Sequence, residues 1–223
     1  SMTDIATVVR VDKVDPDGKS LSGATLQILD KDENVLDEWI TDGTTHTLTA
    51  KLTAGQTYTL REAASPDGYY KAKDITFTVN ADGTANEVAL YNAKTRVSIS
   101  KYDITGEKEI PGAKLEVRDK NDNVLDSWTS TGKAHEIVGV LVAGQTYTLH
   151  EVSAPNGYVV AEDVTFTVNE DGSVNMVSMV DAPTSVHISK KDITTGEELP
   201  GAFLELYDKD NNLVDSWVST NEA

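Results

Sequence analysis

The 223-residue chain has no cysteine, few aromatic residues and about half as many basic as acidic residues. Without cysteine neither disulfides nor thiolate metal sites can form, so any covalent cross-link has to use other side chains. The 37 acidic and 19 basic residues give a net charge of -18, which disfavours binding to nucleic acid and to anionic membranes. No apolar run approaches the roughly 20 residues that a membrane-spanning helix needs. These absences predict a chain with no nucleic-acid partner and no membrane insertion.

The first residues show neither the basic flank nor the apolar stretch of a signal peptide. Ser1 and Met2 resemble a cloning remnant, and residues 1–7 are predicted to be a tag or leader. We therefore expect an excised piece of a longer protein.

Internal repetition organises the rest of the chain. Trp39, Trp128 and Trp217 recur every 89 residues, and the segment AGQTYTL at Ala54–Leu60 returns at Ala143–Leu149. A fixed period of this length indicates tandem domains. The predicted divisions are repeat 1 (8–94), repeat 2 (95–183) and the N-terminal half of a truncated third repeat (184–223).

Each full repeat predicts short β-strands and no long amphipathic helix. Apolar residues alternate over short stretches, which Gly, Asn, Asp and Pro interrupt roughly every 8 to 12 residues. Residues 24–28 carry one apolar face, 30–34 form a polar turn and 35–39 return as a strand, which predicts a hairpin. The pattern predicts an all-β sandwich or barrel. The very short connections between repeats predict an end-to-end arrangement.

Three polar residues of repeat 1 occupy positions where the alternation predicts apolar side chains. Lys13, Glu62 and Asn92 each close a strand whose every second residue is hydrophobic. Because side chains two residues apart on a strand share a face, all three are predicted to point into the core. The same trio recurs in repeat 2 as Lys101, Glu151 and Asp181.

The alternation alone leaves two interpretations of these trios open, since buried polar groups are costly unless they are paired or have reacted. One is a buried salt-bridged cluster that never reacts. The other is a spontaneous amide between the lysine and the carbonyl of the Asn or Asp side chain. Burial lowers the pKa of a lysine and raises the pKa of a carboxylic acid, so the amine becomes a nucleophile and the glutamic acid a proton donor.

Three separated motifs connect the chain to a known family. The openings are VRVDKVD and SISKYD, the middle segments are YTLREAASPDGY and YTLHEVSAPNGY, and the endings are VALYNAK and VSMVDAP. A third opening, HISKKD, lies at His187–Asp192. The chain resembles the Cna B-type (SpaA-like) domains of Gram-positive pilins and surface adhesins from about residue 8 onward. The resemblance implies tandem prealbumin-like, immunoglobulin-like β-sandwiches arranged end to end.

The resemblance also implies a self-catalysed intramolecular isopeptide bond in each complete repeat. The lysine attacks the side-chain carbonyl of the Asn or Asp, a glutamate moves the protons, and folding supplies the proximity. The implied cross-links are Lys13 to Asn92 with Glu62, and Lys101 to Asp181 with Glu151. The equivalent lysine of the third repeat, Lys190, has neither partner in this chain and is expected to remain a free amine.

These features predict a structural stalk or spacer of a cell-wall-anchored surface protein or pilus, located outside the cell. The reaction occurs once per domain, so no turnover enzyme is expected, and no nucleophile elbow, phosphate loop or dinucleotide fingerprint is present. The alternative is an adhesin module that binds host matrix proteins or glycans. The three repeated tryptophans could form its platform, although core or interdomain packing is the favoured role.

No metal or cofactor is predicted. The acidic turns at 30–34, 119–123 and 208–212 imitate the start of a calcium loop but lack its later Gly and Glu, which favours solvated hairpin turns. We interpret the four histidines as occupying unrelated positions of the repeat, which argues against a shared metal or catalytic site. They are His46, His135, His150 and His187.

The truncated third repeat predicts exposed apolar stripes and unpaired strand edges. Ala202, Leu204 and Leu206 alternate in the manner of a core-facing stripe. Open edges of this kind favour pairing with a neighbouring chain. Residues 186–223 are therefore expected to be poorly ordered or ordered by intermolecular strand exchange.

Overall fold

The computed structural model describes residues 6–49 and 51–222. Sixteen strands and no helix are found among them, and residues 1–5 of the predicted leader lie outside them. The strands are β1 (Val8–Val14), β2 (Ser22–Leu29), β3 (Val35–Asp42), β4 (His46–Thr49), β5 (Thr57–Ala64), β6 (Ile75–Thr78), β7 (Asn86–Tyr91), β8 (Arg96–Asp103), β9 (Pro111–Arg118), β10 (Val124–Thr131), β11 (His135–Val138), β12 (Thr146–Ser153), β13 (Val164–Thr167), β14 (Asn175–Asp181), β15 (Phe203–Tyr207) and β16 (Leu213–Val218).

Each complete repeat is a sandwich of two sheets. In repeat 1 the sheets have the orders β4-β1-β7 and β3-β2-β5-β6, and in repeat 2 the orders are β11-β8-β14 and β10-β9-β12-β13. The first and last strands of a repeat, β1 with β7 and β8 with β14, run parallel, whereas the other pairs are antiparallel. The predicted all-β sandwich fold is confirmed. The chain therefore brings the two ends of each repeat together as neighbouring strands.

The predicted hairpin corresponds to β2 and β3, which pair antiparallel. Its turn is held by Asp30, whose Oδ1 accepts the backbone N–H groups of Asp32 at 2.8 Å and Asn34 at 2.9 Å. Glu33 adopts the left-handed conformation, with φ of 62°, that this tight turn requires. The aspartate oxygens serve the turn itself, as the interpretation of solvated turns expects. Asp119 and Asp208 hold the equivalent turns in the same way.

Alternating side chains of both sheets meet in one apolar core per repeat. In repeat 1 the centre of the core is formed by Leu26 and Ile28 of β2 and Leu60 of β5, all fully buried. Leu115 and Leu149 take the corresponding place in repeat 2. Burial on this scale is the main stabilising contribution in a small sandwich. These apolar layers also exclude water from any polar group placed between the sheets.

The chain divides into two compact units, residues 1–182 and 183–223. The first unit contains both sandwiches. The second contains the hairpin of β15 and β16, in which Leu206 is 40% exposed, Val214 is 60% exposed and Phe203 is 65% exposed. Within the described residues, no helical segment has the length and hydropathy that a bilayer span requires.

Candidate functional site

The polar trio of repeat 1 lies between the two sheets. Lys13 is on β1 and Glu62 on β5, while Asn92 directly follows β7. Because β1 and β7 are parallel and Lys13 pairs with Leu90, the side chain of Asn92, two residues further, lies on the same face beside Lys13. Lys13 is 3% exposed, Glu62 0% and Asn92 1%. The alternation that singled out these residues thus corresponds to three buried side chains.

The three side chains of repeat 1 contact one another directly. Lys13 Nζ donates to Asn92 Oδ1 and, at 3.2 Å, to the backbone oxygen of Leu90. Asn92 Nδ2 donates to Glu62 Oε1 at 2.9 Å and Oε2 at 3.0 Å. Glu62 Oε1 is 3.5 Å from Lys13 Nζ. The glutamate therefore touches both the amine and the amide nitrogen, which is the position a proton carrier between them needs.

The protonation state of Lys13 follows from its surroundings. Burial lowers the pKa of Lys13, and the nearby Glu62 carboxylate only partly opposes this effect. A lowered lysine pKa favours the neutral amine, whose lone pair is the nucleophilic form.

A backbone amide that the sequence analysis did not identify fixes each glutamate. The N–H of Ala72 donates to Glu62 Oε2 at 2.5 Å, and the N–H of Ala161 donates to Glu151 Oε2 at 2.7 Å. Each alanine follows its glutamate by ten residues, but an equal spacing in two copies of a domain does not by itself reveal a contact. The anchor leaves Oε1 of the glutamate directed at the lysine.

Repeat 2 contains the same arrangement with a carboxyl in place of the carboxamide. Lys101 is 2% exposed, Glu151 2% and Asp181 0%. Lys101 Nζ contacts Asp181 Oδ1 and lies 3.1 Å from Glu151 Oε1. Across the described residues, neither Glu151 Oε1 nor Asp181 Oδ2 has a partner with hydrogen-bond geometry.

The two carboxyl groups of repeat 2 share one amine. Burial raises the pKa of Asp181, the neighbouring Lys101 opposes this rise, and the Glu151 carboxyl adds to it. A raised pKa favours the neutral carboxylic acid at Asp181, which is more electrophilic than a carboxylate.

The third lysine lies in a different environment. Lys190 is exposed and belongs to the second unit, where its backbone oxygen accepts the N–H of Leu199 at 2.6 Å. The expectation that its amine stays unmodified remains a prediction.

The interpretation of the histidines was wrong for two of the four. His46 and His135 lie 89 residues apart, at equivalent positions of β4 and β11. The His46 ring stacks on Trp39 with ring centroids 4.0 Å apart and an interplanar angle of 11°, and its Nε2 is 3.0 Å from Asp37 Oδ2. The missed signal was the repeated spacing Asp-x-Trp followed by His seven residues after the Trp.

Repeat 2 reproduces this cluster closely. Trp128 and His135 stack at 4.1 Å and 11°, and His135 Nε2 is 2.8 Å from Asp126 Oδ2. In both repeats the Trp and the His lie on edge strands of different sheets, so the stack connects the two layers of the sandwich. This is a packing role, the one favoured for the tryptophans. No group of three or more His, Cys, Asp or Glu suited to a metal ion occurs in the part of the chain that the structure describes.

Comparison with known proteins identifies the class of domain. The profile of the SpaA prealbumin-like fold domain matches the chain twice, over residues 7–94 and 95–183. These matches cover most of the sequence, so the chain belongs to this family. No match was found among curated protein sequences.

The chain also resembles solved structures in its fold. The TIE protein of Bacillus anthracis is 21% identical with a TM-score of 0.52, and the match covers 99% of this chain and 43% of that protein. The chain therefore spans less than half of that relative. Two further matches come from Lactobacillus rhamnosus GG. The shaft pilin SpaA is 16% identical (82% of this chain, 99% of that chain, TM-score 0.38), and a C-terminal fragment of the pilus adhesin SpaC is 16% identical (81%, 98%, 0.45).

Proposed function

We propose that each complete repeat forms an intramolecular isopeptide bond and that the chain is a structural stalk or spacer segment of a Gram-positive surface protein or pilus. The observation that supports this proposal best is the contact of a buried lysine amine with a side-chain carbonyl oxygen beside a buried glutamate, found in both repeats. Membership of the SpaA family and the matches to two pilus proteins support the surface location.

The reaction in repeat 1 joins an amine to a carboxamide. The neutral Nζ of Lys13 attacks Cγ of Asn92, and Glu62 takes a proton from Nζ and passes it to the departing nitrogen as the oxyanion returns to a carbonyl. The bond from Nζ to Cγ forms, the bond from Cγ to Nδ2 breaks, and ammonia leaves. The short distances between these groups replace an external catalyst.

The reaction in repeat 2 joins an amine to a carboxylic acid. Lys101 Nζ attacks Cγ of protonated Asp181, and Glu151 transfers the proton that converts one carboxyl oxygen into water. The products are an amide and one water molecule. Both reactions consume their own lysine and acceptor and therefore run once per domain, so the chain is a self-processing structural protein.

Each bond would constrain the unfolded chain. It closes a loop of about 80 residues, and by analogy with disulfides this stabilises the fold by roughly 4 to 5 kcal/mol. A chain without cysteine gains from these bonds what secreted domains commonly obtain from disulfides.

Intact mass of the purified protein tests the proposal. Two completed bonds lower the mass by about 35 Da, some 17 for ammonia and 18 for water. Glu62→Ala should abolish only the loss of ammonia, because repeat 2 keeps its own glutamate. Glu151→Ala should abolish only the loss of water. The matched control is Glu87→Ala, which replaces a glutamate that is 60% exposed and should retain both losses. A folded wild-type protein with its full sequence mass would refute the bonds.

The adhesin alternative has less support. In both sandwiches one face of the tryptophan is already covered by a histidine ring, which leaves less aromatic surface for a host matrix protein or glycan. Saturable binding in a screen of such ligands against the intact repeats would favour the adhesin over the spacer.

We also propose that residues 186–223 associate with a second chain by strand exchange. The support is the exposed apolar surface of the second unit, with Val186 at 78% and Val218 at 54% exposure, together with the two open edges of its hairpin. Light scattering should detect a concentration-dependent dimer that is lost when residues 184–223 are deleted. A strict monomer with protected amides in this segment would contradict the proposal.

A further inference from the structure

The connection between the two sandwiches is held from both sides. Thr95, which lies between β7 and β8, is 1% exposed. Its N–H donates to the backbone oxygen of Gly68 in repeat 1 at 2.9 Å, and its own backbone oxygen accepts the N–H of Gly139 in repeat 2 at 2.9 Å. Its hydroxyl donates to the backbone oxygen of Leu141 at 2.6 Å. The connection is thus a buried, hydrogen-bonded element, unlike a flexible linker.

The hydroxyl of Tyr70 crosses the same junction. Tyr70 belongs to repeat 1 and is 5% exposed. Its Oη accepts the N–H of Arg96 at 3.1 Å and donates to the backbone oxygen of Ser173, in the turn between β13 and β14, at 2.8 Å. One buried hydroxyl therefore satisfies two backbone groups of the other repeat, and its removal would leave both without that partner.

Two glycines bring the backbones of the repeats into contact. Gly68 has a φ of +79°, and a Cβ added to it would lie 2.4 Å from the backbone oxygen of Gly139 and 2.8 Å from its carbonyl carbon. Real Cβ atoms do not approach backbone atoms this closely, so a side chain at residue 68 would push the repeats apart. The close approach is possible only with glycine at this position.

We propose that Gly68, Tyr70, Thr95 and Gly139 form an orientation lock that fixes repeat 2 in one position relative to repeat 1. The lock is an interaction surface between two copies of the same domain, in which a loop of the first repeat docks on the connection and on two loops of the second. Its tyrosine is not repeated, because repeat 2 has Val159 at the position equivalent to Tyr70. The lock depends on noncovalent contacts and does not require the isopeptide bonds.

The absence of cysteine makes the lock directly measurable. Lys31→Cys and Lys120→Cys place one spin label on an exposed turn of each repeat, and pulsed electron resonance then reports the distribution of the distance between the labels. The otherwise unchanged chain should give one narrow distance. Gly68→Ala should shift and broaden it, and Tyr70→Phe, which removes one oxygen atom, should broaden it.

Gly157→Ala is the matched control for Gly68→Ala. Gly157 is the equivalent residue of repeat 2 and has a similar φ of +88°, but among the described residues nothing lies within 4 Å of a Cβ added there. Both substitutions carry the same backbone strain, and only the one at residue 68 meets the opposing repeat. Equal distributions for the two glycine variants would overturn the lock, as would an unchanged distribution for Tyr70→Phe.

Tyr91→Phe removes the hydroxyl of an exposed tyrosine and is the control for Tyr70→Phe. It should leave the distance distribution narrow. Intact mass of each labelled variant shows whether its cross-links have formed. A narrow distance distribution without cross-links would support the lock and refute the isopeptide bonds. A broad distribution with both cross-links present would refute the lock and support the bonds.

Discussion

The buried clusters of the two repeats differ by one functional group. Repeat 1 presents a carboxamide at Asn92, whose nitrogen donates to both oxygens of Glu62. Repeat 2 presents a carboxyl at Asp181, where one oxygen of each acid lacks a hydrogen-bond partner among the described groups. The same fold therefore surrounds a fully hydrogen-bonded trio and a trio that needs an additional proton. Both proposed reactions need a neutral lysine, and the difference predicts that only the one in repeat 2 also slows when the acid at the electrophile loses its proton.

Exchanging the carboxamide of Asn92 and the carboxyl of Asp181 between the repeats should have the largest effect on how bond formation depends on pH. In repeat 1 the lowered pKa of Lys13 means that bond formation slows as the pH falls through that pKa, because the amine becomes protonated. In repeat 2 the raised pKa of Asp181 means that bond formation slows as the pH rises through it, because the acid becomes a carboxylate. Asn92→Asp should give repeat 1 the behaviour of repeat 2, and Asp181→Asn the reverse.

The measurement is the mass change after refolding. Protein synthesised in a cell-free system and collected in urea before it folds is transferred to buffers of increasing pH, and the loss of ammonia or water is followed over time. Asp32→Asn, on an exposed turn, is the control for an added amide. Identical pH profiles of bond formation in the two wild-type repeats would contradict the predicted difference between them.

A smaller effect, on the stability of a repeat against acid, is expected from changes at the Trp–His stacks. The geometry of these stacks is alike in the two repeats. Burial alone would raise the pKa of Asp37, but hydrogen bonds from His46 and Lys51 outweigh it and lower that pKa below its usual value of 3.8. The ionised Asp37 thus contributes stability that is complete above that usual value and is lost as the pH falls through the lowered pKa.

Asp37→Asn should therefore remove part of the acid sensitivity of repeat 1 and leave repeat 2 unchanged. Thermal unfolding between pH 2 and 5, a range that brackets the usual carboxyl pKa values, measures this with a probe in each repeat. The stacking partner provides a second test, since His46→Ala should cost about 0.5 to 1.5 kcal/mol, the usual contribution of an aromatic pair. An unchanged acid transition in Asp37→Asn would show that the His46 contact carries no such stability.

Much of the candidate site could be predicted from the sequence because a strand has a strict period of two. Lys13 stands in an apolar stripe, so its position alone fixes the face it shares with Val9 and Val11, and both valines are 1% exposed. The second copy of the trio then separated this pattern from chance. The fold followed from the same alternation together with the family motifs.

Other parts of the site depend on how distant segments meet. The amide of Ala72 reaches Glu62 only because the chain after β5 returns along the core, and Tyr70 lies 103 residues from its partner Ser173. Periodicity carries no information on such contacts, which arise from loop conformation and docking. The equivalence of His46 and His135 is different in kind, since it required only a comparison of spacings.

The parallel pairing of the first and last strands has a consequence for a chain under tension. With the proposed bonds in place, a pull on the ends would pass from Lys13 into Asn92 and from Lys101 into Asp181. Residues 14–91 and 102–180 would then carry no load. Between the two amides, the pulling force would pass only through the backbone of residues 92–101. That stretch contains Thr95 and Arg96, which are hydrogen-bonded at the junction between the repeats. These hydrogen bonds would therefore set how far the chain lengthens before a covalent bond is strained.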